Sequence, residues 1–253
     1  MSKIDLVTAY HDYFRLIPAD TEALKREVYR IRYDVYCMEL GWESPEENPG
    51  GLERDRYDPV SHHCLLVHKP SNQFAGCVRL VRAVQDPQHP AIPLQEHCGP
   101  SLDRSLMDFD SLDRTRFGEI SRLAIRAQFR RRTGERNSPN GAETGNLVIH
   151  PSQRRRFPHI ALGLYLGAAA VGLAEGLDGV FAMMEPRLAR HLRLTGIHFR
   201  QVGSVMEYHG PRAPFYIDRA GLFDNLRPEL LELLHAIEED LGLPSAVQRS
   251  AQG

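Results

Sequence analysis

Three groups of polar residues stand in this sequence where the surrounding pattern has no need of them. Arg32 lies in an amphipathic segment with Trp42 just past its end, and Asp55 and Asp58 are three apart in "LERDRYDP". Arg79 sits inside "GCVRLV", and Glu119 and Arg122 sit inside "FGEISRLAI". Taken singly, each has a plain structural role: a turn Asp caps or shapes its turn, and a strand Arg lays its stem along the edge with its head in water. Taken together, acids and arginines in or beside neighbouring strands converge on one cleft and neutralise one another there. Such a cluster shifts proton affinities in the way that acid–base chemistry uses.

"FGEISRLAI" poses a problem of facing. Phe, Ile and Leu suit a half-buried pleated surface, whereas Glu and Arg are almost never fully buried unless paired. An extended chain sends alternate side chains to opposite faces, so Glu119 and Arg122 should point apart. A β-bulge between them adds a residue to one strand and changes the facing of the residues beyond it. It would turn both side chains to one cleft, leave Ile120 and Leu123 to the core, and splay the strand from its neighbour.

The elements that must carry these residues can be read from periodicity. Leu24, Val28, Ile31 and Val35 recur every three or four residues, which predicts a helix over 23–40 stopped by Gly41. A loop over 42–59, rich in Pro, Gly and Asn, leads to two strand-like runs, "HHCLLVHK" and "FAGCVRLVRAV", split by the turn "PSN". Residues 85–116 read as irregular with a short helix, and 126–157 as an Arg-, Gly- and Ser-rich insertion too long for a simple connection. Next come an apolar helix over 158–176, a strand "GVFAMME", and a helix "PRLARHLRLTG" with Pro at its start and Gly at its stop. "HFRQVG" and "APFYIDRA" supply two closing strands. Leu226, Leu230, Leu233, Leu234, Ile237 and Leu241 mark one face of an amphipathic helix over 224–241. The order predicts a mixed sheet with helices on both faces. It divides into one domain over 1–222, a C-terminal helix over 223–243 packed on that domain or on a partner, and a disordered tail over 244–253.

The bulk numbers narrow the function classes. With 253 residues, 42% hydrophobic and 25% charged, the chain has the composition of an ordinary soluble globular protein. A formal net charge of −2 gives no global field to recruit nucleic acid or an anionic membrane. The four cysteines, Cys37, Cys64, Cys77 and Cys98, are far apart and read as reduced thiols of a cytoplasmic protein. His62, His63 and Cys64 have no ligand spacing beyond adjacency, so no metal is assigned. The apolar run "IALGLYLGAAAVGLA" is shorter than the roughly 20 residues a spanning helix needs, and no secretory signal is visible.

Four strings in order, "VYRIRYDVYCMELGWE", "LERDRYDPVSHHCLLVHK", "AGCVRLVRA" and "GEISRLAI", carry a resemblance. The chain resembles the autoinducer-synthase-like branch of the GNAT acyltransferase superfamily, which holds N-acylhomoserine lactone synthases and long-chain N-acyl amino acid synthases. Nearest in wording is the PEP-CTERM/exosortase-associated acyltransferase group. The resemblance runs from about residue 26 to 132, and more loosely to about 220. It implies an α+β GNAT fold and matches Arg32, Trp42, Asp55, Asp58, Arg79, Glu119 and Arg122 to the family's site residues. Tyr36 stands where the lactone synthases place Phe.

The implied reaction moves a fatty acyl group from a thioester to a primary amine. Glu119 is the candidate general base, a role worth roughly 10²–10⁴-fold, with Arg122 beside it. Burial would raise the proton affinity of Glu119, while Arg122 or Arg79 would lower it. Leu123, Ala124 and Ile125 hold the place where this fold supplies a backbone oxyanion donor and pairs with the pantetheine arm. Arg32, Trp42, Asp55, Asp58 and Arg79 would order the N-terminal part over the acceptor, and an Arg there could grip an acceptor carboxylate. No permanent cofactor is implied, only acyl-phosphopantetheine as co-substrate.

"RTGER" at 132–136 lacks the final small residue of a CoA pyrophosphate cradle. Acyl carrier protein is therefore the expected donor and partner, docking on Arg130, Arg131, Arg132, Arg154, Arg155 and Arg156. Phe181, Met183 and Met184, facing the apolar helix, are the expected acyl pocket. Two alternatives are a lactone synthase using S-adenosylmethionine and a non-catalytic acyl-carrier or lipid-binding module. Nucleic-acid binding is disfavoured, because no aromatic platform accompanies the arginines.

Overall fold

The computed structural model describes residues 6–88, 91–130 and 160–245. Its strands are β1 (Phe14–Pro18), β2 (Ser61–His68), β3 (Gln73–Arg82), β4 (Phe117–Ile125), β5 (Gly179–Met184), β6 (Arg200–Gln201), β7 (Met206–Glu207) and β8 (Pro211–Asp218). They form an eight-stranded sheet in the order β1-β2-β3-β4-β5-β8-β6, with β7 pairing β8 off that path. Every pair is antiparallel except β4–β5, which runs parallel. The helices are α1 (Leu6–Tyr13), α2 (Glu22–Arg32), α3 (Pro93–Cys98), α4 (Ile160–Ala174), α5 (Pro186–Thr195), α6 (Arg219–Asn225) and α7 (Pro228–Asp240). This is the expected α+β arrangement, a mixed sheet with helices on both faces.

α4 organises one face. It is apolar all round because it is covered all round: the sheet contributes Leu66, Val78, Leu80 and Ile120, and α7 contributes Leu230, Leu233, Leu234 and Ile237 to the same core. Gly167 lets the helix approach the edge strand, since a Cβ there would stand 2.1 Å from Leu16 Cδ2. Tyr10 of α1 ties the ends of the chain together. Its hydroxyl donates to Asp240 Oδ2 at 2.6 Å and accepts the Leu16 N–H at 2.8 Å. On the opposite face Val28, Ile31, Val35 and Tyr36 pack on Leu65, Cys77 and Ala124. A second apolar cluster there joins Tyr57, Ile92 and Leu94 to Val81, Phe117 and Phe181.

Four local departures from the sequence reading have physical causes. The helix expected over 23–40 is α-helical only to Arg32 and continues as a π-helix over Tyr33–Glu39. Its wider turn brings three side chains to β4 and the turn beyond it: Asp34 pairs with Arg126, Tyr36 donates to the Leu123 carbonyl, and Glu39 pairs with Arg130. "HFRQVG" pairs over only two residues. The helix expected over 224–241 is two, because Pro228 opens α7 and cannot continue α6. β1, for which the sequence reading had no element, adds a strand at the edge of the sheet.

Among the described residues no helix is long and apolar enough to cross a membrane. Most of the insertion over 126–157 and most of the tail over 244–253 lie outside the described residues. Leu233 is fully buried in the core that α4 and α7 share. Leu233→Ala should therefore lose about 2–5 kcal/mol in urea unfolding at equilibrium. A loss near zero would mean that α7 does not hold the core.

Candidate active site

β4 creates the site by breaking its own ladder. Cys77 pairs with Ala124 and Arg79 with Ser121, so Arg122 and Leu123 together oppose the single residue Val78. Arg122 absorbs the irregularity with a positive φ of 49°. The bulge expected between Glu119 and Arg122 thus falls at Arg122–Leu123, and it reverses facing as such a bulge must. Ile120, Leu123 and Ile125 turn to the main core, while Glu119, Ser121 and Arg122 line the cleft on the other face. β4 pairs with β5 only from Phe117 to Ile120, so the two strands part just where the cleft opens.

Behind the cleft lies a dense ion network. Arg32, fully buried, donates from Nε to Glu53 Oε2 and from Nη1 to Asp58 Oδ1, the latter at 2.6 Å. Arg79 Nη1 reaches Asp55 Oδ1 at 2.6 Å and Asp58 Oδ1 at 2.9 Å, and its Nε donates to Ser121 Oγ at 3.1 Å. Arg122 donates from Nε to Glu53 Oε1 at 3.1 Å and from Nη2 to Glu43 Oε1 at 3.0 Å. Backbone completes the frame, since the Asp55 N–H donates to Asp58 Oδ2 at 2.7 Å. Burial pushes these carboxyls up; the guanidinium groups outweigh it at Glu53, Asp55 and Asp58, whereas burial prevails at Glu43 and raises it. Asp55 is held at about 2 by Arg79, Arg32 and Arg122, and Glu53 and Asp58 are also held below the ordinary range. Burial, reinforced by Arg32, lowers His63 to about 3, so it stays neutral beside Asp58.

Glu119 behaves differently. It is 3% exposed and makes no ion pair among the described residues. Its Oε2 accepts the Leu94 N–H from the start of α3 at 2.7 Å. Burial raises its pKa to about 7, with that hydrogen bond, Arg79 and Arg122 pulling weakly the other way. It is a carboxyl poised to take up or release a proton near neutrality. Trp42 walls the cleft; its ring stacks with Tyr36 (centroids 5.9 Å apart) and with His209 (5.1 Å), and the Arg212 guanidinium carbon lies 4.9 Å from its centroid.

The structure brings together Arg32, Trp42, Asp55, Asp58, Arg79, Glu119 and Arg122. Arg32 and Asp58 stand behind the cleft rather than in its wall, so Arg32 cannot grip an acceptor. Leu123 lines the cleft, whereas Ala124 and Ile125 lie beyond it in the β3–β4 ladder. Met183 and Met184 line it as well. Phe181 does not: it shares a face with Met183, turned away from the apolar helix, and packs deeper in the second apolar cluster against Phe117 and Tyr216. Arg130 is 8% exposed and paired with Glu39, so it is no part of a docking surface. Arg131, Arg132, Arg154, Arg155 and Arg156 lie outside the described residues. Among the described residues no group of His, Cys, Asp and Glu could hold a metal ion. Sequence reasoning missed Glu43 and Glu53, which read as solvated loop acids, and Arg212 and His209, which sit in an unpatterned stretch.

Removing one partner of a buried ion pair strands the other, at a cost of about 3–5 kcal/mol. Arg32→Leu should lose that much in urea unfolding at pH 7, and a change under 1 kcal/mol would show the network to be dispensable. Glu53, Asp55 and Asp58 have folded pKa values below their unfolded ones. The stability they provide is therefore whole above about pH 4.5 and drains away as pH falls towards about 2. Asp58→Asn should flatten that acid limb in melting temperatures taken from pH 6 to 2, and an unchanged limb would contradict it.

Residues 31–137 match the acetyltransferase (GNAT) domain model. That span contains every acid and arginine of the network, and Glu119. No curated protein sequence matches the chain. In fold it is similar to TofI in a ternary complex with an inhibitor and MTA, at 20% identity and TM-score 0.56, covering 85% of this chain and 99% of that one. It is similar also to BjaI, a CoA-dependent acyl-homoserine lactone synthase solved with MTA, at 18% identity and TM-score 0.56, covering 95% and 100%. A third likeness is to the AHL synthase LasI, at 13% identity and TM-score 0.54, covering 85% and 95%. The chain is thus an α+β protein of the GNAT fold, with a buried glutamate where its central strands part.

Proposed function

We propose that the protein transfers a fatty acyl group from a phosphopantetheine thioester to the amine of an amino acid or related small molecule. The observation that carries this is Glu119: a buried carboxyl with a pKa near 7, unpaired among the described residues, at the point where β4 and β5 separate. The amine nitrogen attacks the thioester carbonyl carbon while Glu119 takes its proton. Collapse of the tetrahedral intermediate then breaks the C–S bond, and the departing thiolate takes up a proton. From Ser121 onward the β5-facing edge of β4 has no strand partner among the described residues. That leaves room for a pantetheine arm and a backbone N–H at Leu123 to meet the oxyanion. Arg122, fixed by Glu43 and Glu53, positions the wall opposite the base.

Met183 and Met184 supply adaptable apolar surface at the cleft mouth. Ile120 and Tyr165 line both this cleft and a neighbouring apolar cavity bounded by Leu166, Ala169, Val180 and Leu222. We place the acyl tail there, in place of the Phe181 surface. Acyl carrier protein is our preferred donor over CoA, because "RTGER" lacks the last small residue of a pyrophosphate cradle. Kinship with the exosortase-associated group rests on the four sequence strings alone. BjaI, solved with SAM and isopentyl-CoA, keeps a lactone synthase as the second reading.

Mass spectrometry of lipids from an expressing host should reveal a new N-acyl species that disappears with Glu119→Gln. Release of methylthioadenosine from S-adenosylmethionine with a lactone product would instead favour the second reading. A wild type without turnover would leave only an acyl-binding module. The rate kcat/KM should climb with pH through about 7 as Glu119 ionises, and a profile flat from pH 6 to 8 would remove it as the base. Because its folded pKa lies above its unfolded one, Glu119 lowers stability as pH rises from about 4.5 to 7. Glu119→Gln should therefore melt no lower than wild type at pH 8, which separates lost chemistry from lost fold. Ala169→Phe should shift acyl preference to shorter chains, and an unchanged product profile would move the tail elsewhere.

A further inference from the structure

The cleft wall holds three arginines, Arg79, Arg122 and Arg212. Two are spent on protein carboxylates. Arg79 is bound by Asp55 and Asp58, and Arg122 by Glu43 and Glu53 with Asp55 at 3.6 Å. Arg212 differs: among the described ion pairs it has no acidic partner, and its Nε is buried with no hydrogen-bond partner. Glu185 lines the same cleft and makes no described ion pair with it. What holds Arg212 is Trp42, whose ring lies 4.9 Å from the guanidinium carbon. Stacking on an aromatic face orients a guanidinium and leaves its N–H edge available for a planar anion, which it takes by paired hydrogen bonds. Burial and Arg212 itself hold the neighbouring His209 below its ordinary pKa, so Arg212 is the cation on this side of the cleft. Arg212 lies on β8, outside the span 31–137 that matches the domain model.

We infer that Arg212 receives the carboxylate of the amine acceptor, which makes the acceptor an amino acid with a free carboxyl group and sets its amine towards Glu119. This rests on the acyl-transfer reading for its substrate but not for its test. A buried charged donor rejects an isostere lacking the matching charge, because its own hydrogen bonds then go unmade. The shared chemistry is that of an oxyanion, and a donor phosphate is its other source.

Trp42 is the one tryptophan of the chain and touches Arg212, so its fluorescence reports the site directly. A panel of N-octanoyl amino acids and their primary amides, titrated into wild type and Arg212→Gln, provides the experiment. We expect wild type to bind at least one acid tenfold or more tighter than its amide, and Arg212→Gln to bind the two alike. Arg212→Lys, which keeps the charge but loses the planar fork, should retain part of the preference. Acid and amide binding alike in wild type, or a preference that survives Arg212→Gln, overturns the inference. A raised KM for the acyl donor with the acid preference intact assigns Arg212 to the donor phosphate and overturns it too. If the acid preference depends on Arg212 but no acceptor is turned over, the carboxylate site stands and acyl transfer falls. If acids and amides are acylated equally well, acyl transfer stands and the Arg212 site falls.

Discussion

Asp58 Oδ1 takes hydrogen bonds from two guanidinium groups at once, Arg32 at 2.6 Å and Arg79 at 2.9 Å. One arginine comes from the end of α2 and the other from the middle of β3, so a single oxygen fixes the helix to the sheet. Together with Glu53 and Asp55, which each bind one of these arginines, that acid offsets the cost of burying both guanidinium groups. Around this joint Glu53 links Arg32 to Arg122, which fixes the bulge of β4. Tyr36 binds the same bulge from the helix side through the Leu123 carbonyl. The cleft is therefore framed by partners that hold one another.

The same low-dielectric surroundings act on the carboxyls in opposite ways. At Asp55 and Asp58, which have guanidinium groups within hydrogen-bond reach, attraction beats the loss of hydration and the acid stays ionised. Glu119, two residues from Ser121 on the same strand face, receives one backbone N–H in place of a guanidinium, and desolvation wins. The two kinds of carboxyl differ in which arginine atoms lie within their reach.

Much of this was legible in the residues. The hairpin of β2 and β3, the strand β4, the apolar helix α4 and β5 each carry a periodicity or length that admits one reading. The facing conflict of Glu119 and Arg122 pointed either to a solvated side chain or to a bulge, and the bulge is there, a residue or two from its expected place. Other parts left no mark. β1 has five residues, too few to establish a period, and is made a strand by β2 beside it. The π-helix shares its apolar spacing with an ordinary helix, and only its contacts with β4 and the following turn distinguish the two. Glu53 looks like any loop acid until Arg32 and Arg122 close over it. The alternation of β5 was readable, but its inner and outer faces were not, so Phe181 was assigned to the wrong side.

The covering of α4 bears on how the chain is made. Its apolar residues emerge from synthesis well before α7, whose leucines close over them, and β5 and β8 must also form before the sheet beneath is complete. The Tyr10–Asp240 hydrogen bond joins residues 230 positions apart, so the earliest helix waits for the last one. Long-range contacts of this kind slow folding and prolong the exposure of apolar surface. The nascent chain thus carries an uncovered apolar helix from the completion of α4 until α7 has been made.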